Sequence, residues 1–181
     1  MQTEYLAKDG VLLATRRRRS PGEPEIWAAH LAVVEGVTVG EPEIETDRAR
    51  FLGRGREART PMAVVDGLPL SSTAGAVLDP VFALRRRVRI APGRTARIAF
   101  WTVVASSRSD VLDLVDKHRD TNAFERAATL AWTQAQVQLA HLGVEPDQAN
   151  LFQRLAGHAL YADPSLRPSP DTLRRGAGAA P

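Results

Sequence analysis

One stretch of this chain is dense in groups that can grip a polar ligand: Glu45-Thr46-Asp47-Arg48-Ala49-Arg50-Phe51-Leu52-Gly53-Arg54-Gly55-Arg56. A guanidinium offers a planar fork of N–H donors that pairs two-pronged with carboxylate or phosphate oxygens and, on the same geometry, with neighbouring hydroxyls. Two glycines free the backbone and Phe51 can anchor the loop in a core, so Asp47, Arg48, Arg54 and Arg56 are the candidates for contact with sugar hydroxyls or phosphate. The same arginines could instead clamp one domain onto another. Residue types alone leave both readings open.

The remaining reactive types form no set. His30, His118, His141 and His158 have no pair at metal-ligand spacing, so no metal site is assigned. Ser71-Ser72-Thr73-Ala74-Gly75 lacks the Gly-x-Ser-x-Gly frame of a nucleophile elbow, and Gly53-Arg54-Gly55 is too short for a dinucleotide loop. No two carboxylates are marked as facing a common substrate, so no catalytic residue and no cofactor is assigned. Arg16-Arg17-Arg18-Arg19 reads as a strand end running into a Pro-rich loop, because no stacking aromatics interleave it. Arg85-Arg86-Arg87-Val88-Arg89 could form a phosphate or sugar-acid patch, but alternation puts Arg85, Arg87 and Arg89 on the outer face of a sheet, where covering helices or another domain could pair them.

The elements that must hold these groups change character near residue 106. Before it, Thr3–Ala7 and Val11–Arg17 read as a hairpin about Lys8-Asp9-Gly10, and Ile26–Val34 as a buried strand. Gly40-Glu41-Pro42 reads as a turn between Val37–Val39 and Glu43–Thr46, and Asp47–Arg59 as a loop. Leu84–Ile90 and Thr95–Val104 read as an antiparallel pair joined by Ala91-Pro92-Gly93-Arg94, with Ala96, Ile98, Phe100, Thr102 and Val104 inward. After it come helices of about Arg108–Arg119 with Ser107 as N-cap, Ala123–Leu142 opened by Asn122, and one starting near Pro146 and stopped by Pro164. The Pro/Gly/Ala-rich tail from Pro168 is expected to be mobile.

Composition excludes several classes. The chain has 181 residues and no cysteine, which removes disulfides, thiolate metal sites and cysteine nucleophiles together. No apolar run reaches the roughly 20 residues of a membrane span, and the N-terminus lacks signal-peptide pattern, so a cytoplasmic chain without membrane contact is expected. Net charge is +3, with 16 basic against 12 acidic residues up to position 105 and 8 against 9 beyond it. A basic nucleic-acid module would bind any duplex with strong salt dependence; it ranks last, and no nucleic-acid partner is expected.

Several ordered stretches carry a resemblance. Glu45-Thr46-Asp47-Arg48 with Phe51-Leu52-Gly53-Arg54-Gly55, then Gly75-Ala76-Val77-Leu78-Asp79-Pro80-Val81-Phe82, Phe124-Glu125-Arg126-Ala127, Trp132-Thr133-Gln134-Ala135-Gln136 and Asn150-Leu151-Phe152-Gln153-Arg154-Leu155-Ala156 together resemble glycoside hydrolase family 94. Within it the resemblance is strongest to the C-terminal part of cyclic β-1,2-glucan synthases, near the cellobiose- and chitobiose-phosphorylase-like enzymes. It implies a mainly β fold, a partial antiparallel supersandwich over 1–105, followed by an α-helical linker of about three helices over 106–163 and a flexible tail over 164–181. It further implies that both ends are cut, with earlier strands before Met1 and a catalytic (α/α)₆ barrel after the linker. The expectation is a non-catalytic carbohydrate-binding or scaffolding fragment, inactive alone, with a glucan or disaccharide as ligand and phosphate reached through the barrel in cis or trans. The alternative is a subunit of a split glycosyl-transferring enzyme completed by a separately encoded barrel. A full-length synthase parent would be anchored in the inner membrane, and open edges make self-association an expectation.

Overall fold

The computed structural model describes residues 1–161 and 168–176, which fall into two compact units, Met1–Ala127 and Ala128–Pro181. The first unit holds two antiparallel sheets. Five strands lie in the order β5 (Gly75–Ala76), β1 (Gln2–Leu6), β2 (Val11–Thr15), β3 (Trp27–Glu35) and β7 (Arg97–Ala105). A separate ribbon pairs β4 (Val37–Asp47) with β6 (Pro80–Arg89).

The β1–β2 hairpin and the β3 strand form where the alternation places them, with Thr3 opposite Ala14 and Leu12 opposite His30. Two sequence expectations fail. The Gly40-Glu41-Pro42 turn is an irregularity inside one long strand, with the pairing of β4 on β6 shifting between Val39 and Glu43. The Leu84–Ile90 and Thr95–Val104 segments do not pair with each other: β6 pairs with β4, and β7 runs the length of β3 from Trp27 opposite Ala105 to Glu35 opposite Arg97. Residues 91–96 therefore carry the chain from one sheet to the other, as Gly36 does between β3 and β4. A Cβ on Gly36 would lie 3.0 Å from the Cβ of Ala96, so the two crossovers press together at one end of the unit.

Each face of the five-stranded sheet has its own cover. Val11, Leu13, Ala29, Leu31 and Val103 point to one side, where helix α3 (Arg108–His118) lays Val111 and Val115 on them. Ser107 caps that helix, its hydroxyl accepting from the Asp110 N–H at 3.1 Å. On the opposite side the β4–β6 ribbon packs over β1 and β2, burying Leu12, Ala14, Ile44 and Thr46, and Thr3 Oγ1 meets Thr46 Oγ1 at 2.8 Å between the layers. Two strands cannot roof five. The inward set expected on β7 is consequently reversed: Ala99 and Val103 are buried toward α3, while Phe100 and Val104 project past the ribbon and stay half exposed. Both faces of β7 are apolar, so alternation by itself could not choose between them.

Helix α4 (Asn122–Leu142) begins in the first unit and continues into the second, where Gly143 in the left-handed region closes it and the Val144 N–H donates back to the Leu139 carbonyl at 3.0 Å. Helix α5 (Pro146–Leu160) opens on a capping box of Glu145 and Gln148. The expected stop at Pro164 lies outside the described residues. Within the expected tail, Pro170–Gly176 forms one further short helix, α6. The first unit thus has a mainly β, antiparallel sandwich architecture, and helices follow it. No helix among the described residues is long and apolar enough to cross a membrane.

Candidate functional site

The polar chemistry of the first unit concentrates at the far end of the ribbon. Register places Glu43 opposite Arg85 and Glu45 opposite Ala83 on its outer face. Glu43 accepts from the Leu70 N–H at 3.0 Å, from Arg85 at 3.0 Å and from Arg87 at 2.9 Å. The Leu70 amide first, and then the two guanidinium groups, hold its carboxyl below the ordinary range. Arg85 also donates to the Leu68 carbonyl at 2.7 Å and to the Ala63 carbonyl, so one side chain ties the 61–70 segment to the sheet. Alternation puts Arg85 and Arg87 on one face as expected, but their acid lies on the neighbouring strand β4 and not on a covering helix or another domain.

Glu45 is buried at 1% exposure. Its Oε1 accepts from the N–H groups of Thr46 and Asp47, both at 2.9 Å, and its Oε2 from the Ser71 hydroxyl. A buried carboxylate needs such donors, and here two come from its own strand end and one from the facing loop. Beside it opens a cavity of about 290 Å³ walled by Glu45, Arg50, Met62, Leu68, Leu70 and Ser71.

The candidate loop begins where β4 ends. Its start is a short helix, α1 (Arg48–Leu52), and not an irregular loop. Asp47 caps it, Oδ1 accepting from Ala49 N–H at 2.9 Å and Arg50 N–H at 3.4 Å. Arg48 reaches Asp79, with Nη1 3.2 Å from Oδ2 and its backbone N–H 3.0 Å from the Asp79 carbonyl. Gly53 ends the helix at φ 82° and ψ 161°, a conformation open to glycine alone, and an added Cβ would stand 2.7 Å from the Cβ of Met62. Helix α2 (Met62–Val65) follows, and Arg56 turns to Asp66 at 2.7 Å.

Of the four residues singled out from the sequence, Asp47 and Arg48 lie side by side at the head of α1, and Arg56 is paired farther along. None of the four lines the cavity beside Glu45. Arg54 is exposed and has no hydrogen bond or ion pair among the described residues. Sequence reasoning missed Glu43, Glu45 and Arg85 as the centre of the region. Their signal was the matched two-residue spacing of Glu43/Glu45 and Arg85/Arg87, legible only once β4 and β6 are known to pair. Among the described residues no group of three His, Asp or Glu side chains is arranged to hold a metal ion. The run at Arg16 is locally paired, Arg16 to Glu23 and Arg18 to Glu25.

Comparison with known proteins supplies the context. The family model described as glycosyl hydrolase 94, supersandwich domain, matches residues 1–121. Over 176 residues, 97% of the chain, the sequence is 37% identical to the cyclic beta-(1,2)-glucan synthase NdvB of Rhizobium meliloti (strain 1021). The matched region spans 6% of that relative's length.

Proposed function

The chain belongs to the glycosyl hydrolase 94 supersandwich family, and from that premise we propose that it is a non-catalytic, carbohydrate-contacting module whose α1 loop borders the sugar. One observation carries the assignment to that loop. Its charges are locked by partners within the unit, Asp47 on the α1 amides, Arg48 on Asp79 and Arg56 on Asp66, whereas Arg54 is held out with all its donors unspent. A fixed loop presenting uncommitted guanidinium groups, Arg54 and, at its end, Arg59, suits hydroxyl or phosphate recognition, because the loop's ordering cost is met before the ligand arrives.

The non-catalytic reading rests on what the carboxylates do. Glu43, Glu45 and Asp47 each spend their oxygens on backbone amides, a hydroxyl or arginine, which suits these three to holding the fold and not to donating a proton. Glucan chemistry then belongs to another part of a longer protein, and a β-1,2-glucan or a glucose disaccharide is the ligand class to try first.

A second reading is favoured by α4 and α5. Leu130, Trp132 and Val137 on α4, and Leu151, Phe152 and Leu155 on α5, are each more than half exposed, an apolar display suited to receiving a helical catalytic barrel in cis or trans. The two readings are compatible, since a module can both touch sugar and carry a barrel.

Calorimetric titration with β-1,2-gluco-oligosaccharide and with cellobiose tests the first. Arg54→Ala is expected to weaken affinity about tenfold, the value of one lost charge-assisted hydrogen bond. Equal affinity in Arg54→Ala and the parent chain would remove the loop from the account.

A further inference from the structure

The ribbon that fails to roof β7 leaves a cleft of about 410 Å³ along β6, between it and His30 of β3 and Phe100 of β7, within the about 300–1,000 Å³ of small-ligand sites. Three rings line it on neighbouring strands. His30 lies 5.6 Å from Phe82 at an interplanar angle of 9°, and 6.0 Å from Phe100 at 10°, so the three are nearly parallel. Phe51 and Leu70 close the side nearest the α1 loop. Phe100 is 54% exposed, and its ring is available to a ligand as well as to its neighbours.

Polar groups converge on the same space. Arg86 shares the inner face of β6 with Phe82 and Leu84, opposite in role to Arg85 and Arg87, which turn outward to Glu43. Arg86 is half-buried and has no hydrogen bond or ion pair among the described residues. Its charge also acts on Tyr5, and it lines the neighbouring pocket with Asp9 and Glu41, so its donors stand between that pocket and this cleft. His30 bonds Thr102 Oγ1 through Nδ1 at 2.9 Å, which fixes the ring and leaves Nε2 as its remaining polar atom.

We infer that this cleft takes one pyranose unit of a gluco-oligosaccharide, its C–H face laid against the Phe82–His30–Phe100 rings and its hydroxyls met by Arg86 and His30 Nε2. A glucose ring in its chair form is apolar on its faces, where the axial C–H bonds point, and polar around its rim. The C–H groups carry slight positive charge and suit the negative face of an aromatic ring, while the rim oxygens accept from a guanidinium. A phosphate would gain nothing from the aromatic rings that line the cleft. The inference rests on the carbohydrate reading above but places the sugar in a second location, a cleft along β6 whose lining shares Leu70 and Arg85 with the Glu43 region.

The test is titration of the full chain with a β-1,2-linked glucose trisaccharide and with cellotriose, using the parent sequence, Phe100→Ala, Phe100→Trp and Arg86→Ala, with circular dichroism and light scattering on each. Phe100→Ala and Arg86→Ala are each expected to weaken binding about tenfold, one contact's worth. Phe100→Trp keeps a stacking surface and is expected to retain affinity. No binding by the parent chain overturns the carbohydrate reading, and this inference with it. Binding by the parent that is unchanged in folded Arg86→Ala and Phe100→Ala overturns the cleft alone. A change in molar mass on Phe100→Ala with unchanged sugar affinity would assign the face to a second copy of the chain and also overturn the cleft.

Discussion

Arg85 and Arg87 show how little sequence adjacency says about what a charge does. Both face Glu43, but Arg85 also holds two carbonyls of the 61–70 segment, whereas the Arg87 side chain is 62% exposed. Arg85→Ala is therefore expected to lower unfolding free energy by about 2 kcal/mol, since partly buried acceptors lose a charged donor. Arg87→Ala should lie within about 0.5 kcal/mol of the parent, as exposed pairs do. Urea denaturation of both variants reads the difference, and equal losses would contradict the ranking. His30 makes a pH-dependent case. Burial pushes its imidazole below the ordinary 6.5, so the unfolded chain binds the proton more readily than the folded one. Its contribution to stability is complete above pH 6.5 and is lost as pH falls from there through the lower folded value. The urea midpoint should accordingly drop between pH 7.5 and 5.5 in the parent chain and drop less in His30→Gln. A steeper loss in the variant would show that His30 does not titrate in this sense.

At the scale of elements, α1 and its exit are tightly constrained, by the Asp47 cap and by Gly53 against Met62. Gly53→Ala is expected to destabilise by about 2 kcal/mol or more, from the backbone conformation and from the clash with Met62. Gly55→Ala, at φ 72° with open space around it, should cost only about 1 kcal/mol. Thermal melts of the two variants check the order. Helices and the first hairpin were legible in the sequence because their signals are local: Ser107, Gly143, Pro146 and Lys8-Asp9-Gly10 each mark a boundary within a few residues. Strand partners were not. Residues 91–94 have turn chemistry, and turn chemistry predicts a hairpin, but it cannot report that Gly36 has already sent β4 into a second sheet where β6 must follow. That one mispairing reversed the inward face of β7 and hid the Glu43–Arg85 pairing and the aromatic cleft together. By contrast, α1 was missed as a helix although its charged surface was readable from composition, and Phe51, expected to anchor it in a core, is only half-buried at the edge of a cleft.

For the whole molecule, α3 belongs with the strands that precede it. Val111 and Val115 are fully buried on the sheet, so the first helix after the strands belongs to the core of the first unit, which runs on to Ala127. The switch in sequence pattern near residue 106 marks a change of secondary structure, and the family match extends past it to residue 121. Exposed apolar residues on α4 and α5 contrast with this buried helix and carry the second functional reading. The central claim, that this unit contacts carbohydrate, is tested most directly by calorimetric titration of the full chain with β-1,2-gluco-oligosaccharide. The account predicts saturable heat with a defined stoichiometry, weakened in Arg54→Ala. Absence of any saturable heat with β-1,2-linked and β-1,4-linked oligosaccharides alike, from a chain shown to be folded, would contradict it.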